Sequence, residues 1–323
     1  MNPFTTTLEP VWRTPTCVWI NSEVVARTAQ KLAPESFSTP SWKEDVFPKD
    51  DLEFLDFIGV GNSINFAFTD FETHQSFSVQ YKDVLWRGAF AMWASLQRAS
   101  ENGIDLFSGD RLRQISAQDA AKIFAGESRI PMLQERWFIL REVGAILSER
   151  YGGSFRNVFL NGEPRAFGSD GLVNRLVSSF PSFRDESVHR GTGAVLKFHK
   201  RAQLMAMMYQ GRALTSRSLR QLSDFADIGP IADYSVPRAL HSSGILEYAP
   251  DLEARITSRQ LIEKDSVAEQ EIRAQTVQAQ TMLLTAINRL RTSPITFIDL
   301  DYKLWTMGRG VKTPHHLTIT TAY

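Results

Sequence analysis

The chain is expected to be mostly α with a small antiparallel β element, an α+β class. Three observations predict this. Apolar residues recur at helical spacing through most of 86–306, while period-two alternation is confined to 63–68, 76–82 and the last few residues. Several helical runs stop at a breaker, at Pro34, Asn102-Gly103, Gly126 and Gly152-Gly153. With 323 residues, 43% of them hydrophobic, the chain can bury a large core, and we read 1–323 as a single domain.

In chain order, residues 1–19 read as an extended arm carrying Pro3, Pro10 and Pro15. A helix follows Ser22, with Val24, Val25 and Leu32 inward, and stops at Pro34. Ile64, Phe66 and Phe68 share one face of a strand over 63–68, and Phe77, Val79 and Tyr81 one face of a strand over 76–82; together they predict an antiparallel pair in a 60–85 hairpin region. Mainly helical chain is expected from 86 to 306. Trp86, Ala89, Phe90, Trp93 and Leu96 hold helical spacing up to Asn102-Gly103, and Ser116 with Asp119 opens a short helix ending at Gly126. Pro131 opens a longer helix, with Leu133, Trp137, Leu140, Gly144 and Leu147, ending at Gly152-Gly153. Further helices are expected near 171–180, 197–210, 217–226, 236–243, 265–292 and 295–306, the long one started by Ser266 and Glu269 as a capping box. The 307–323 tail carries Leu317, Ile319 and Thr321 at strand spacing.

Thirty-six basic residues balance 36 acidic ones, which argues against a footprint for long nucleic acid without excluding a pocket for one phosphate. The single Cys17 removes any internal disulfide or multi-cysteine metal site. No run approaches the apolar length of a membrane span, and the first residues lack the charged start and apolar core of a signal peptide. A cytoplasmic monomer with no membrane partner and no cofactor or metal is the expectation. Gly59-Val60-Gly61 lacks the third glycine of a dinucleotide fingerprint, and phosphate-loop, His-Glu-x-x-His and Gly-x-Ser-x-Gly signatures are absent. His315-His316 has no spaced partners and reads as solvated or structural, and the isolated His74, His189 and His241 read as structural.

Asp233 is the leading candidate for chemistry. It sits in Ile231-Ala232-Asp233-Tyr234-Ser235-Val236-Pro237, after the breaker Gly229-Pro230, with Ser235 suited to cap the next helix and Pro237 to its first turn. A helix N-terminus favours negative charge, so a carboxylate there can face developing positive charge, such as a carbohydrate carbon losing its leaving group. Phe198-His199-Lys200-Arg201-Ala202-Gln203 sets three basic side chains at a helix start; it is either a solvated basic face or, because Lys200 aligns with Leu204 and Met208, a lysine turned toward the core or a pocket rim. Asp301 shares a helical face with Phe297, Leu300 and Leu304, whereas Asp299 is spaced to pair with Lys303 on another face. Asp301 is thus either a buried structural partner or a ligand-recognising carboxylate. Phe66 and Trp305 are core residues or platforms for a flat base.

Several segments together resemble the queuosine salvage family, the queuosine 5′-phosphate N-glycosylases. They are Asn62-Ser63-Ile64-Asn65-Phe66-Ala67-Phe68, Tyr151-Gly152-Gly153-Ser154-Phe155, Ser179-Phe180-Pro181-Ser182-Phe183-Arg184-Asp185, Lys200-Arg201-Ala202-Gln203, Ala232-Asp233-Tyr234 with Pro237, and Leu300-Asp301-Tyr302-Lys303-Leu304-Trp305. Pro314-His315-His316 and Tyr323 also fit, so the likeness spans about residues 20–323. His199, in place of an aromatic hydroxyl, and Thr69, in place of tryptophan, depart from the pattern. The resemblance implies a fold similar to the helix–hairpin–helix DNA glycosylases and hydrolysis of queuosine 5′-monophosphate to queuine and ribose 5-phosphate. Asp233 and Lys200 take the catalytic positions it implies. Tyr234, Asp301, Trp305 and Phe66 are candidates for the base, and His199, Arg201 and Arg184 for the phosphate. A nucleic-acid base glycosylase and a non-enzymatic modified-nucleotide-binding protein are the alternatives.

Overall fold

Helices carry about half of the chain and three two-stranded antiparallel sheets the β content among residues 2–323, which the computed structural model describes. The mostly helical expectation therefore holds. The chain divides into two units. The first takes the chain up to Pro40, Asp185–Gln203 and Ala226–Ile319; the second takes Ser41–Arg184, Leu204–Phe225 and Thr320–Tyr323.

The first unit is organised on the helix Val267–Arg289, capped by Ser266 as its sequence predicts. Ile272, Ala279, Leu283 and Ile287 pack with Val25 and Leu32 of Ser22–Leu32, Leu240 of Ser235–Ser242, and Leu300 and Leu304 of Phe297–Gly310. Polar residues of this helix are buried too, namely Glu269, Gln270, Glu271, Arg273, Gln275 and Gln280. Such groups need partners. Glu271 takes the Thr16 backbone N–H (2.8 Å) and hydroxyl (2.7 Å) on one oxygen and the backbone N–H groups of Cys17 (2.7 Å) and Val18 (2.9 Å) on the other. That fixes the strand Val18–Ile20, which pairs with Leu246–Tyr248. The Gln270 side-chain amide donates to the Ser187 hydroxyl and the Val188 carbonyl in the strand Glu186–Val188, paired with Val195–Lys197. Before the strand Val18–Ile20 the arm is not extended. It holds a 3₁₀ turn, Thr5–Leu8, and a short helix, Glu9–Arg13, because Pro10 lies in the first helical turn, where its missing N–H costs nothing.

The second unit departs most from the periodic reading. The pair expected over 63–68 and 76–82 does not form. The strands are instead Ser78–Tyr81 and Val84–Arg87, and Trp86, expected in the next helix, lies in the second of them. Only a single bridge joins Thr69 to Ser76. The reason is Arg136, which is fully buried and donates to the carbonyls of Ile64, Phe66, Ala67 and Pro131, so those groups are not free for a ladder. The preceding helix, Asp51–Ser63, is buried all round from Phe54 onward and shows no polar face to betray it. At Gly61 an added Cβ would lie 1.8 Å from the Trp93 ring, so this glycine serves packing. The helix expected over 217–226 is a loop ending in the 3₁₀ turn Phe225–Asp227; the Ser216 hydroxyl accepts the Ser218 and Leu219 N–H groups and so competes with a helical ladder. In the tail of the first unit, the strand expected at 317–321 reduces to one parallel bridge between Leu261 and Leu317.

Glu271→Gln tests the buried anchor. It replaces an acceptor oxygen with a donor facing backbone N–H groups, and is expected to lower unfolding free energy by about 1–3 kcal/mol. Denaturant melts check this; an unchanged midpoint would contradict the anchoring role.

Candidate active site

The helix Lys200–Ala213 begins with a buried run in which Lys200, Arg201 and Gln203 are at most 5% exposed, so the solvated-face reading of this basic cluster fails. Asp185 makes this start. Its Oδ2 accepts the Lys200 backbone N–H (3.0 Å), and its backbone carbonyl accepts the N–H groups of Phe198 and His199. Both carboxylate oxygens bind Arg273, at 2.8 and 2.6 Å, in a buried bidentate pair. The Arg273 guanidinium also lies 3.9 Å above the Phe198 ring. That positive charge, working against the burial that raises it, holds the Asp185 carboxyl below the usual range.

Asp233 lies two residues before the helix Ser235–Ser242, and its own side chain caps that helix. Oδ1 accepts the backbone N–H groups of Ser235 (2.8 Å) and Val236 (2.9 Å). Ser235, expected as the cap, is instead the first helical residue. Two glutamines hold the segment leading to Asp233. The Gln203 carbonyl accepts the Gly229 N–H (3.1 Å), and the Gln280 amide donates to the Ile231 carbonyl (2.7 Å).

Asp301 comes from the helix Phe297–Gly310, which packs against Ser235–Ser242. Gly308 permits that approach, since a Cβ there would lie 2.1 Å from the Ser235 carbonyl oxygen. Asp301 is buried, and its Oδ1 has no hydrogen-bond partner. Burial, reinforced by the Asp233 charge and opposed by Lys200, pushes its carboxyl well above the usual range. Burial likewise lowers the Lys200 ammonium, while Asp233 and Asp301 hold it up. The charges of Lys200, Asp233 and Asp301 are therefore electrostatically joined. Asp299 is different. It closes a capping box on Thr296 and accepts the Thr39 hydroxyl, and the pairing expected with Lys303 is replaced by Lys303–Glu35.

Tyr234 donates its hydroxyl to the Thr318 carbonyl (2.9 Å) and sits 4.7 and 5.1 Å from the His315 and His316 rings. Burial pushes His315 down to about 4 and His316 well below its usual value. His315 and Arg238 feel the Asp233 charge, and neither was singled out for the site by spacing. His199 is buried against Phe4, with Nε2 3.4 Å from Glu186, and its burial lowers its protonation. Trp305 stacks on Tyr302 at 6.0 Å. Phe66 and Arg184 belong to the second unit. Phe66 is fully buried with the Arg136 guanidinium 4.3 Å above it, and Arg184 donates to the Val177 and Ser178 carbonyls. A cavity of about 510 Å³ beside the strand pair Glu186–Val188 and Val195–Lys197 is lined by Glu186, His189, Arg190 and Asp265 among others, and by none of Lys200, Asp233 or Asp301.

A buried lysine, a carboxylate at a helix start and a second buried carboxyl with an open oxygen can stabilise a cationic sugar carbon and hold a polar base. No helix among the described residues is long and apolar enough to cross a membrane. The family described as queuosine salvage protein matches residues 46–323. A queuosine 5′-phosphate N-glycosylase/hydrolase of Sphaerobacter thermophilus is 35% identical over 95% of this chain and 93% of its own length. Proteins of the same name from Schizosaccharomyces pombe, 30% identical over 80% of this chain and 76% of their own length, and from Mus musculus, 28% over 90% and 88%, are also similar. Motifs quoted from across the sequence and a match over most of its length agree, and the chain belongs to the queuosine salvage protein family.

Proposed function

We propose that this chain hydrolyses the N-glycosidic bond of queuosine 5′-monophosphate, releasing queuine and ribose 5-phosphate. The observation that carries the reading is the joining of Asp233, Lys200 and Asp301 in one unit of a chain of this family. Water adds to the sugar carbon C1′, the C1′–base bond breaks, and the base departs with the bonding pair and takes up a proton. Positive charge grows on the ring as the bond opens. Asp233, held through Oδ1 at a helix start, turns Oδ2 to that carbon, where it stabilises the charge, attacks it or orients the water. A 7-deazaguanine base lacks the N7 that ordinarily accepts a proton from an acid. Asp301, driven toward its neutral form, is suited to donate at another edge of the base. Lys200 meets the phosphate or the reacting centre, with Arg201 and His199 as further phosphate ligands and Tyr234 and Trp305 against the base. We read the fold as similar to the helix–hairpin–helix DNA glycosylases, supported by the pairing of a lysine at one helix start with an aspartate before another. The enzyme is read as a cytoplasmic monomer acting on a small nucleotide.

Asp233→Asn is expected to lower turnover by roughly 10²–10⁴-fold while the protein stays folded and binds substrate. Release of free base from queuosine 5′-monophosphate is the measurement, and retention of more than about a tenth of wild-type activity would sink the assignment.

The 5′-phosphate is expected to improve kcat/KM over the unphosphorylated nucleoside by about one to two decades, the worth of a charge-assisted contact. Equal efficiencies would remove the phosphate-reading pocket.

Asp301→Ala is expected to weaken queuine binding by about 1–3 kcal/mol. Asp299→Ala, which removes a cap and the hydrogen bond from Thr39, is expected to lower stability by about 0.5–2 kcal/mol with binding unchanged. Calorimetric titration and melting of both variants decide; equal queuine affinities would return Asp301 to a structural role.

A further inference from the structure

We propose that Gln280 and Arg273 are positioning residues that set Asp233 against Lys200, making the Val267–Arg289 helix the template of the site. The inference rests on the reading of Asp233 and Lys200 as the reacting pair. Positions 273 and 280 are two helical turns apart, so they lie on nearly the same face, separated by about 10.5 Å of rise. Each acts through one relay. Arg273 grips both oxygens of Asp185, and Asp185 Oδ2 takes the Lys200 backbone N–H at the first residue of its helix. Gln280 donates to the Ile231 carbonyl, two residues before Asp233. A single rigid element thereby determines where both backbones stand.

Gln280 is a poor choice for stability alone. It is wholly buried, its Oε1 has no hydrogen-bond partner, and its amide makes only the Ile231 bond and a 3.3 Å bond to Thr276 in its own helix. A buried amide with its acceptor unused adds little net stability. What it does supply is a fixed position for the carbonyl that leads into Asp233. The other ties on that segment meet at Gly229, whose N–H goes to the Gln203 side chain of the Lys200 helix and whose carbonyl accepts from Asn2; both lie farther from Asp233 than Ile231 does. Arg273 is equally specific. Its two parallel donors match the Asp185 carboxylate, and lysine carries the charge but not the fork.

The test compares Gln280→Met and Arg273→Lys with Asp233→Asn, measuring kcat and KM for queuosine 5′-monophosphate, queuine affinity and melting temperature. Misplacement of a reacting group by about 1 Å lowers rate on the order of 10²-fold, so Gln280→Met is expected to lose roughly 10- to 100-fold in kcat. Its KM, queuine affinity and melting temperature should stay close to wild type. Arg273→Lys is expected to shift in the same direction; if it does not fold, Gln280→Met decides. Unchanged kcat in Gln280→Met, or a loss matched by falling affinity and folded yield, overturns the template. A fully active Asp233→Asn overturns the reacting pair and the template with it. An inactive Asp233→Asn beside a fully active Gln280→Met overturns the template alone.

Discussion

The buried pair of Asp185 and Arg273 is the interaction on which the first unit's chemistry depends. Neither charge is tolerable alone in that environment, and together they satisfy each other through two parallel hydrogen bonds. The pair also closes a turn. Asp185 uses its backbone carbonyl on Phe198 and His199 and its side chain on Lys200, so the lysine enters its helix at a position determined by an ion pair. The hydrophobic effect collapses the Val267–Arg289 helix into the core. Directional bonds from its polar side chains decide which segment lies where.

Charge arithmetic then explains the site. Lys200 and Asp301 are both buried, and a desolvated ammonium and carboxyl cannot both be ionised at no cost. Asp233 has two backbone N–H groups and a helix start to hold it. Asp301 has an oxygen with no partner, and burial drives it toward its neutral form. On the proposed reading, one cluster holds a carboxylate that faces the cationic carbon and a carboxyl that donates to the leaving base. Lys200 and Asp301 each shift the other, so a pH profile reports the pair and not a single residue.

Much of this was legible in the sequence where one face of a helix is apolar. The helices at Ser22–Leu32, Leu133–Arg150, Val267–Arg289 and Phe297–Gly310 follow from spacing and caps, as does the burial of Asp301, whereas for Lys200 spacing left a solvated face and a buried one open. The helix Asp51–Ser63 was hidden because burial on every side leaves no period to read. The strand expected at 63–68 failed because its carbonyls are taken by an arginine about 70 positions later, at Arg136, and alternation cannot reveal a partner so distant. The same holds for Arg273 and Gln280. Neither was singled out from the sequence, and only the fold shows that they are buried and what they hold.

The most direct measurement is the crystal structure of the Asp233→Asn protein soaked with queuosine 5′-monophosphate. The account predicts C1′ within about 3.5 Å of the side chain at position 233, near-attack distance, with an edge of the base against Asp301. A nucleotide bound in the cavity lined by Glu186, His189 and Arg190, or seated with C1′ more than about 6 Å from position 233, would contradict it.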